Sequence, residues 1–522
     1  MQPLTEKMKF TSTVAGASIL LTSMGLLSRG LGMIREMVFA SSFGLGEEFD
    51  IYLVGAVLPL TIQVIFLFLI QNYLIPSYNN LLLKSPEQKE SFIRTNFWIF
   101  SLGGLVLAVL LSFSSNIIIN TYLSHSSIAK REEARLIFNI FLISLPFSAA
   151  NSVLISFLQN QLNFLTPSVA RLTTNLAVII IVFSLSTVYG TVIIPVGYVV
   201  GEIIPFIILL IKSNVKLFSP VKSLLIRQHL KNSLSLNLFL ILIIESISQL
   251  YAISDRYFVS LVQEGGIAAL NYSQTLFTLP ISSISVALST AIFPRLSQSY
   301  SAGSHIELER QFLSGIRINI VIFVPIMIIF FFYGNDLIRI IYERGKFNSN
   351  DTLMTAESLK YFSLSIVFYS IYSILNKMIY SARWIKTLLF ITVIGISLKI
   401  ILNFVLVKNL SQNGLALSTS ISYIFFFIVS FLVIINRLSF RIKGQFLAEF
   451  FLHLICGVTS YLVVAYLWSF IKQDSIILSL LILISFCLVY MLNLWILGTK
   501  SIHLVFGLFS FFKKSNVEIT KE

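Results

Sequence analysis

The sequence predicts an all-α polytopic membrane protein, and three observations predict it. The chain of 522 residues is 56% hydrophobic and only 11% charged, where a soluble chain would carry about a quarter charged residues. Its mean hydropathy is +0.88. Apolar runs of about 20 residues, the length that crosses a bilayer as a helix, recur from end to end. Period-2 alternation in short segments, the mark of a membrane barrel, is absent from the sequence.

Fourteen spans follow, near 11–41, 49–75, 96–118, 136–158, 166–187, 190–211, 233–261, 269–293, 316–334, 358–377, 386–406, 413–435, 446–470 and 475–497. Lys7 and Lys9 precede the first, and no small-residue cleavage site follows a short apolar core, so it reads as a retained helix. With the N-terminus inside, the cytoplasmic segments hold 23 Lys and Arg and the outer loops 8. Positive charge stays on the cytoplasmic side, so both ends are expected there. The net charge of +14 is thus a topology signal, not a nucleic-acid stripe. Cys456 and Cys487 stand alone in apolar runs, which supports neither a disulfide framework nor a zinc site.

The basic segment 212–232 (Lys212, Lys216, Lys222, Arg227, Lys231, no acid) marks a boundary, and an internal repeat supports it. Arg35 precedes Pro59 by 24 residues, and Arg256 precedes Pro280 by the same 24. Ile75-Pro76 answers Phe293-Pro294, Gly44 and Gly46 answer Gly265 and Gly266, and Asp50 aligns with Asn271. The expected organisation is an N-terminal lobe at 1–211, the linker 212–232, a C-terminal lobe at 233–435, two further spans within 446–497 and a cytoplasmic tail at 498–522. Repeats of this kind build many transporters. The prolines in the second helix of each repeat should kink it.

Six cations remain inside spans: Arg29, Arg35, Arg171, Arg256, Lys360 and Lys399. Lys360 lies near a span end and can snorkel to the interface. The acids in or beside spans are Glu36, Asp50, Glu202, Glu245 and Asp255. A charge at mid-bilayer costs ~2.5–3.5 kcal/mol on insertion scales, so such groups face a wet cavity or a partner. Arginine grips phosphate bidentately, so Arg29 and Arg35 read as the wall of a cavity for an anionic headgroup. The competing reading makes each an interfacial anchor or the partner of a local acid, as Asp255 is for Arg256. Lys399 and Asn403 share a helix face one turn apart. Lys399 is expected either to neutralise Asp255 or Glu245, taking the place of a coupling cation, or to reach the interface. Glu202 and Glu245 are candidate proton sites. No P-loop and no His-Glu-x-x-His motif is present, which argues against a self-contained ATP-driven pump or a zinc enzyme.

The stretch SRGLGMIREMVFASSFGLGEEFDIYLVGAVLP, residues 28–59, resembles the first two helices of the MurJ/MviN lipid II flippases of the MOP exporter superfamily. DRYFVSLVQEGGIAALNYSQTLFTLP, AIFPRLSQ, YERGKFNSNDT and GLALSTSISY extend the resemblance through both halves. It implies two pseudo-symmetric six-helix lobes plus two C-terminal helices that form a groove for a lipid tail. It also implies a multi-pass protein of the bacterial cytoplasmic membrane that flips undecaprenyl-pyrophosphate-linked peptidoglycan precursor by alternating access. By position, Arg29, Arg35 and Asp50 match residues the family needs in its cavity, and Ser28 and Arg256 are placed with them. Asp255 matches an acid that couples transport to a cation in some members. No cofactor is implied; the energy source is left open between membrane potential and a monovalent cation. The implied partners are the lipid-linked glycan, the bilayer and cell-wall glycan polymerases. Three departures stand out: Gln63 where the family has a basic residue, no Glu-Gly after it, and Tyr272-Ser273-Gln274-Thr275-Leu276 with its arginine lost. They leave room for another polyprenyl-linked oligosaccharide, such as an exopolysaccharide or O-antigen unit. A cation-coupled small-molecule exporter and a non-transporting scaffold for a glycan polymerase are the readings from other classes.

Overall fold

The computed structural model describes residues 14–84, 89–124, 126–215, 236–440, 443–470 and 475–497. The linker expected at 212–232 falls almost wholly outside the described residues, as do the tail at 498–522 and the first lysines. Among the described residues the secondary structure is helical throughout, and every one of the fourteen expected spans lies on a helix. Two of the long apolar helical segments, at 165–213 and 385–438, are each a pair of expected spans joined by a tight break.

The chain forms two compact units. The first holds residues 1–268 together with 344–347, the second 269–343 and 348–522. By packing, the seventh span therefore goes with the first six.

The first unit contains α1 (Val14–Phe43), α2 (Glu47–Lys84), α3 (Lys89–Tyr122), α4 (Ile128–Leu142), α5 (Leu145–Asn160), α6 (Leu165–Tyr189), α7 (Ile193–Ser213) and α8 (Leu236–Tyr257). The fourth span is split into α4 and α5 at Ser144, whose buried hydroxyl bonds the carbonyl of Phe141 at 2.5 Å. A short turn at 190–192 joins α6 to α7, the most extensive helix pair of the unit. One apolar cluster gathers Ile51 and Val54 of α2 with Ala134, Phe138 and Leu142 of α4 and Leu145 of α5. A second gathers Leu74 and Tyr78 of α2, Phe92 of α3 and Leu154 of α5. Lipid takes up the remaining apolar surface, which is why Phe113, Ile117, Phe183 and Val188 are exposed without penalty. Pro59 and Pro76 sit inside an uninterrupted α2.

The second unit contains α9 (Gly266–Pro280, its first three residues in the first unit), α10 (Val286–Ser301), α11 (His305–Phe332), α12 (Gly334–Tyr342), α13 (Ser349–Ser363), α14 (Ile366–Ser381), α15 (Ile385–Leu438), α16 (Lys443–Trp468) and α17 (Ile476–Ile496). Here the expected proline distortion is present: Pro280 gives way to a five-residue π-turn over Ile281–Ser285, the geometry that a missing N–H permits. α13 starts in a capping box of Asn348 and Asp351 and meets α14 at a 47° bend. α15 spans two membrane passes because Ser411 leaves helical geometry at φ 51°, ψ −134°. The last two helices pack on α11 through Ile328, Tyr333, Val464 and Phe486, and Arg317 is tied to Glu449 at 2.6 Å.

Candidate functional site

The charged half of α1 is built from two arginines in unlike surroundings. They are six residues apart, which separates them by roughly 9 Å along the axis and about a third of a turn around it. Arg29 is half-buried and makes no ion pair or hydrogen bond among the described residues. Its neighbour Ser28 offers only its carbonyl, which accepts the Asn175 amide at 3.4 Å. Arg35 is held tightly. Its Nη2 meets Glu36 Oε1 at 2.7 Å and its Nη1 donates to Asn175 Oδ1 at 3.2 Å. The guanidinium lies 5.5 Å from the Tyr198 ring centre and 5.7 Å from that of Phe39, a distance at which the ring quadrupole attracts a cation. Its Nε is buried and donates to nothing among the described residues.

Asp50 stands in the first turn of α2 and is 4% exposed. Its Oδ2 accepts the Gly265 N–H at 2.8 Å and its Oδ1 the Ala268 N–H at 2.6 Å, all within the first unit. The carboxylate thus does the work of a helix cap from more than two hundred residues away: two orphan donors are met by a full negative charge. Gly265 has φ +74°, and a side chain there would collide with the Leu45 carbonyl, so only glycine brings this turn so close. Arg256 and Asp255 are buried in the same unit, and Arg256 lies in the field of Asp255 and of Asp50. Beside them the Lys346 N–H donates to the Ser41 carbonyl at 2.8 Å.

Two further expected residues lie one turn from the Arg35 clasp, Arg171 four residues before Asn175 and Glu202 four after Tyr198. Glu202 on α7 accepts from Asn151 Nδ2 at 2.8 Å, and the same amide donates to the Glu202 carbonyl at 3.0 Å. Arg171 on α6 is near enough for its charge to act on Glu202. The Glu245 side chain lies outside the described residues. In the second unit Lys399 and Asn403 are fully buried on α15, and Asn403 Oδ1 accepts the Ser418 hydroxyl from beyond the Ser411 break. Lys360 is exposed, with its ammonium 4.9 Å from the Phe331 ring, as a snorkelling lysine should be. Gln63, where the resembling family carries a cation, donates to Ser144 Oγ at 2.6 Å.

Sequence reasoning missed Asn175, Tyr198 and Asn151, which hold Arg35 and Glu202. Their only signal was a lone amide or phenol in an apolar span, a weak one, because many such groups bond within their own helix.

Fourteen expected spans that all lie on helices, with charged groups buried among them, define a polytopic membrane protein of the MOP-exporter fold. A MATE-family multidrug transporter solved in an inward-facing conformation has this fold, with a TM-score of 0.62 at 15% identity over 81% of this chain and 98% of that chain. Within that class the chain belongs to the lipid II flippase MurJ family, whose model matches residues 39–487. A lipid II flippase MurJ solved in an inward closed conformation matches with a TM-score of 0.79 at 26% identity, over 92% of this chain and 98% of that one. The probable lipid II flippase MurJ of Borreliella burgdorferi is 25% identical over 81% of this chain and 83% of its own length. That of Buchnera aphidicola from Acyrthosiphon pisum is 25% identical over 93% and 92%.

Proposed function

We propose that this chain is a flippase for lipid II, the undecaprenyl-pyrophosphate-linked peptidoglycan precursor, moving it from the inner to the outer leaflet of the cytoplasmic membrane by alternating access. The observation that carries the reading is the family match over residues 39–487. The different states of the two α1 arginines support it: Arg29 is uncommitted among the described residues, and Arg35 is fixed in direction by Glu36 and Asn175. A guanidinium without an internal partner in a lipid-facing protein is suited to a phosphate-bearing substrate. Asp50 and Arg256 act on each other elsewhere in the same unit, and the Asp50 cap is a contact that can be made in one conformation and released in another. Both termini are cytoplasmic in this reading, as the loop cations require. α16 and α17 carry the lipid tail, and glycan polymerases are the partners that would consume the product.

Lys399 with Asn403, and Asp255, Glu202 and Glu245, are the coupling candidates. Lys399 supplies a fixed positive charge where a carrier could otherwise need a monovalent cation, and the membrane potential supplies the drive. A unit charge crossing it gains ~2.3 kcal/mol per 100 mV.

The test is complementation of a bacterium depleted of its own lipid II flippase, scoring growth and labelled lipid II on the outer leaflet. Rescue by the wild type and its loss in Arg29→Ala at normal abundance is the expected result. No rescue by a well-expressed wild type would move the substrate to another polyprenyl-linked oligosaccharide. Full rescue by Arg29→Ala and Arg35→Ala would remove the arginines from the reading.

A further inference from the structure

The second unit carries a cavity that the transport reading does not use. It has a volume of about 370 Å³, within the ~300–1,000 Å³ range of small-ligand sites. It forms where three chain turns converge: the α10–α11 turn at Gly303, the α14–α15 turn at Arg383 and the end of α15 at Ser439, each with positive φ. Ser299, Tyr300, His305, Trp384 and Arg437 line it.

Two features of the lining are those of an anion site. The Arg437 guanidinium lies 4.7 Å from the centre of the Trp384 ring, and Tyr300 meets the same ring edge-on at 6.5 Å. Stacking on an indole holds the guanidinium plane while leaving its N–H fork free to bond. Neither Arg437 nor the His305 ring has an ion pair or hydrogen bond among the described residues. Glu307, two residues after His305, is taken by Arg310 at 2.6 Å and by Gln311 at 2.7 Å. Two donors thus face one cavity with their capacity unspent.

The surroundings choose among anions. The cavity lies at the end of long apolar helices, and Trp384 and Tyr300 are the residue types that settle at a membrane–water interface. Exposed apolar side chains flank two of the lining residues: Ile385 follows Trp384 and Ile306 follows His305. A phosphate in the cavity would leave its acyl chains against Ile306 and Ile385, whereas a soluble phosphate would use neither. We propose that this cavity binds the phosphate of an anionic phospholipid, with Arg437 as the principal contact and His305 as the second. Such a lipid would tie together the three turns that end α10, α14 and α15. Basic pockets between membrane helices recognise headgroups in this way.

The experiment is native mass spectrometry of the full-length protein with short-chain phosphatidylglycerol, short-chain phosphatidylcholine and inorganic phosphate as separate probes. Phosphatidylglycerol should bind about tenfold more tightly than phosphatidylcholine, the worth of a charge-assisted fork. Arg437→Gln should erase that preference and His305→Ala should weaken it, while Arg437→Lys keeps part of it. His305 is exposed, so its variant answers even if Arg437→Gln folds poorly. Equal binding of the two lipids in the wild type, or an unchanged preference in Arg437→Gln and His305→Ala, would overturn the site. Inorganic phosphate displacing the glycerol lipid at matching concentration would overturn the lipid assignment. None of these outcomes depends on whether the chain flips lipid II.

Discussion

The two units bury polar groups in different ways. In the first, charges are met by charges and by backbone or side-chain amides: Arg35 by Glu36 at 2.7 Å, Asp50 by two N–H groups, Glu202 by the Asn151 side chain. In the second, the interior is a seam of hydroxyls and amides. Ser285 bonds the Ser370 carbonyl at 2.6 Å, Ser358 bonds Asn413 at 2.9 Å, Ser420 bonds the Tyr361 carbonyl at 2.7 Å, and Ser418 bonds Asn403 beside Lys399. Neutral pairs are cheap to make and cheap to lose. A pair of charges costs much more when one member is removed, because the survivor is left in low dielectric. The first unit should therefore be the more fragile to single polar substitutions.

Three sets of variants sharpen or break that contrast. The largest effect is expected at Glu36→Ala, which strands Arg35 and should cost about 3 kcal/mol of stability, read as a fall in midpoint in thermal unfolding of detergent-solubilised protein. Arg29→Ala, by comparison, should leave the unfolding midpoint unmoved while transport is lost. A midpoint for Glu36→Ala equal to wild type would mean that Arg35 is hydrated and the pair is incidental. Next comes Asp50→Ala, which removes a cap from two N–H groups and should cost about 2 kcal/mol. Asp50→Asn retains one acceptor and should lie between; if it equals Asp50→Ala, the charge and not the bonding holds the turn. The smallest effects belong to neutral and exposed pairs. Ser418→Ala should cost about 1 kcal/mol. Lys130→Ala, which frees the exposed Glu47 carboxylate, should cost under ~0.5 kcal/mol. A Ser418→Ala loss as large as that of Glu36→Ala would end the distinction between the units.

Much of the fold was legible in the chain because the bilayer dictates it. A backbone without water must bond to itself, so each apolar run of sufficient length had one solution, and all fourteen predicted runs are helical. The breaks were less legible. Pro280 gives way to a π-turn while Pro59 sits inside an uninterrupted helix, since neighbours decide whether a missing N–H is felt. The split at Ser144 fell inside one expected span although Pro146 stands in the first turn of α5, whereas the corner at Ser411 lies between two expected spans.

For the site, sequence alone determined which residues are anomalous: Arg29, Arg35, Glu36, Asp50, Asp255, Arg256 and Lys399 are charges where hydrocarbon disfavours charge, and that can be counted without coordinates. Only the tertiary structure decided how each is satisfied. Asp50 caps a turn that begins at Gly265, Arg35 is clasped by Asn175 from α6, and Arg29 is left uncommitted among the described residues. Hydrophobic burial is a property of each residue and is written in composition and period. Pairing is a property of two residues brought together from distant parts of the chain, and its energy depends on ångström geometry that no local pattern encodes.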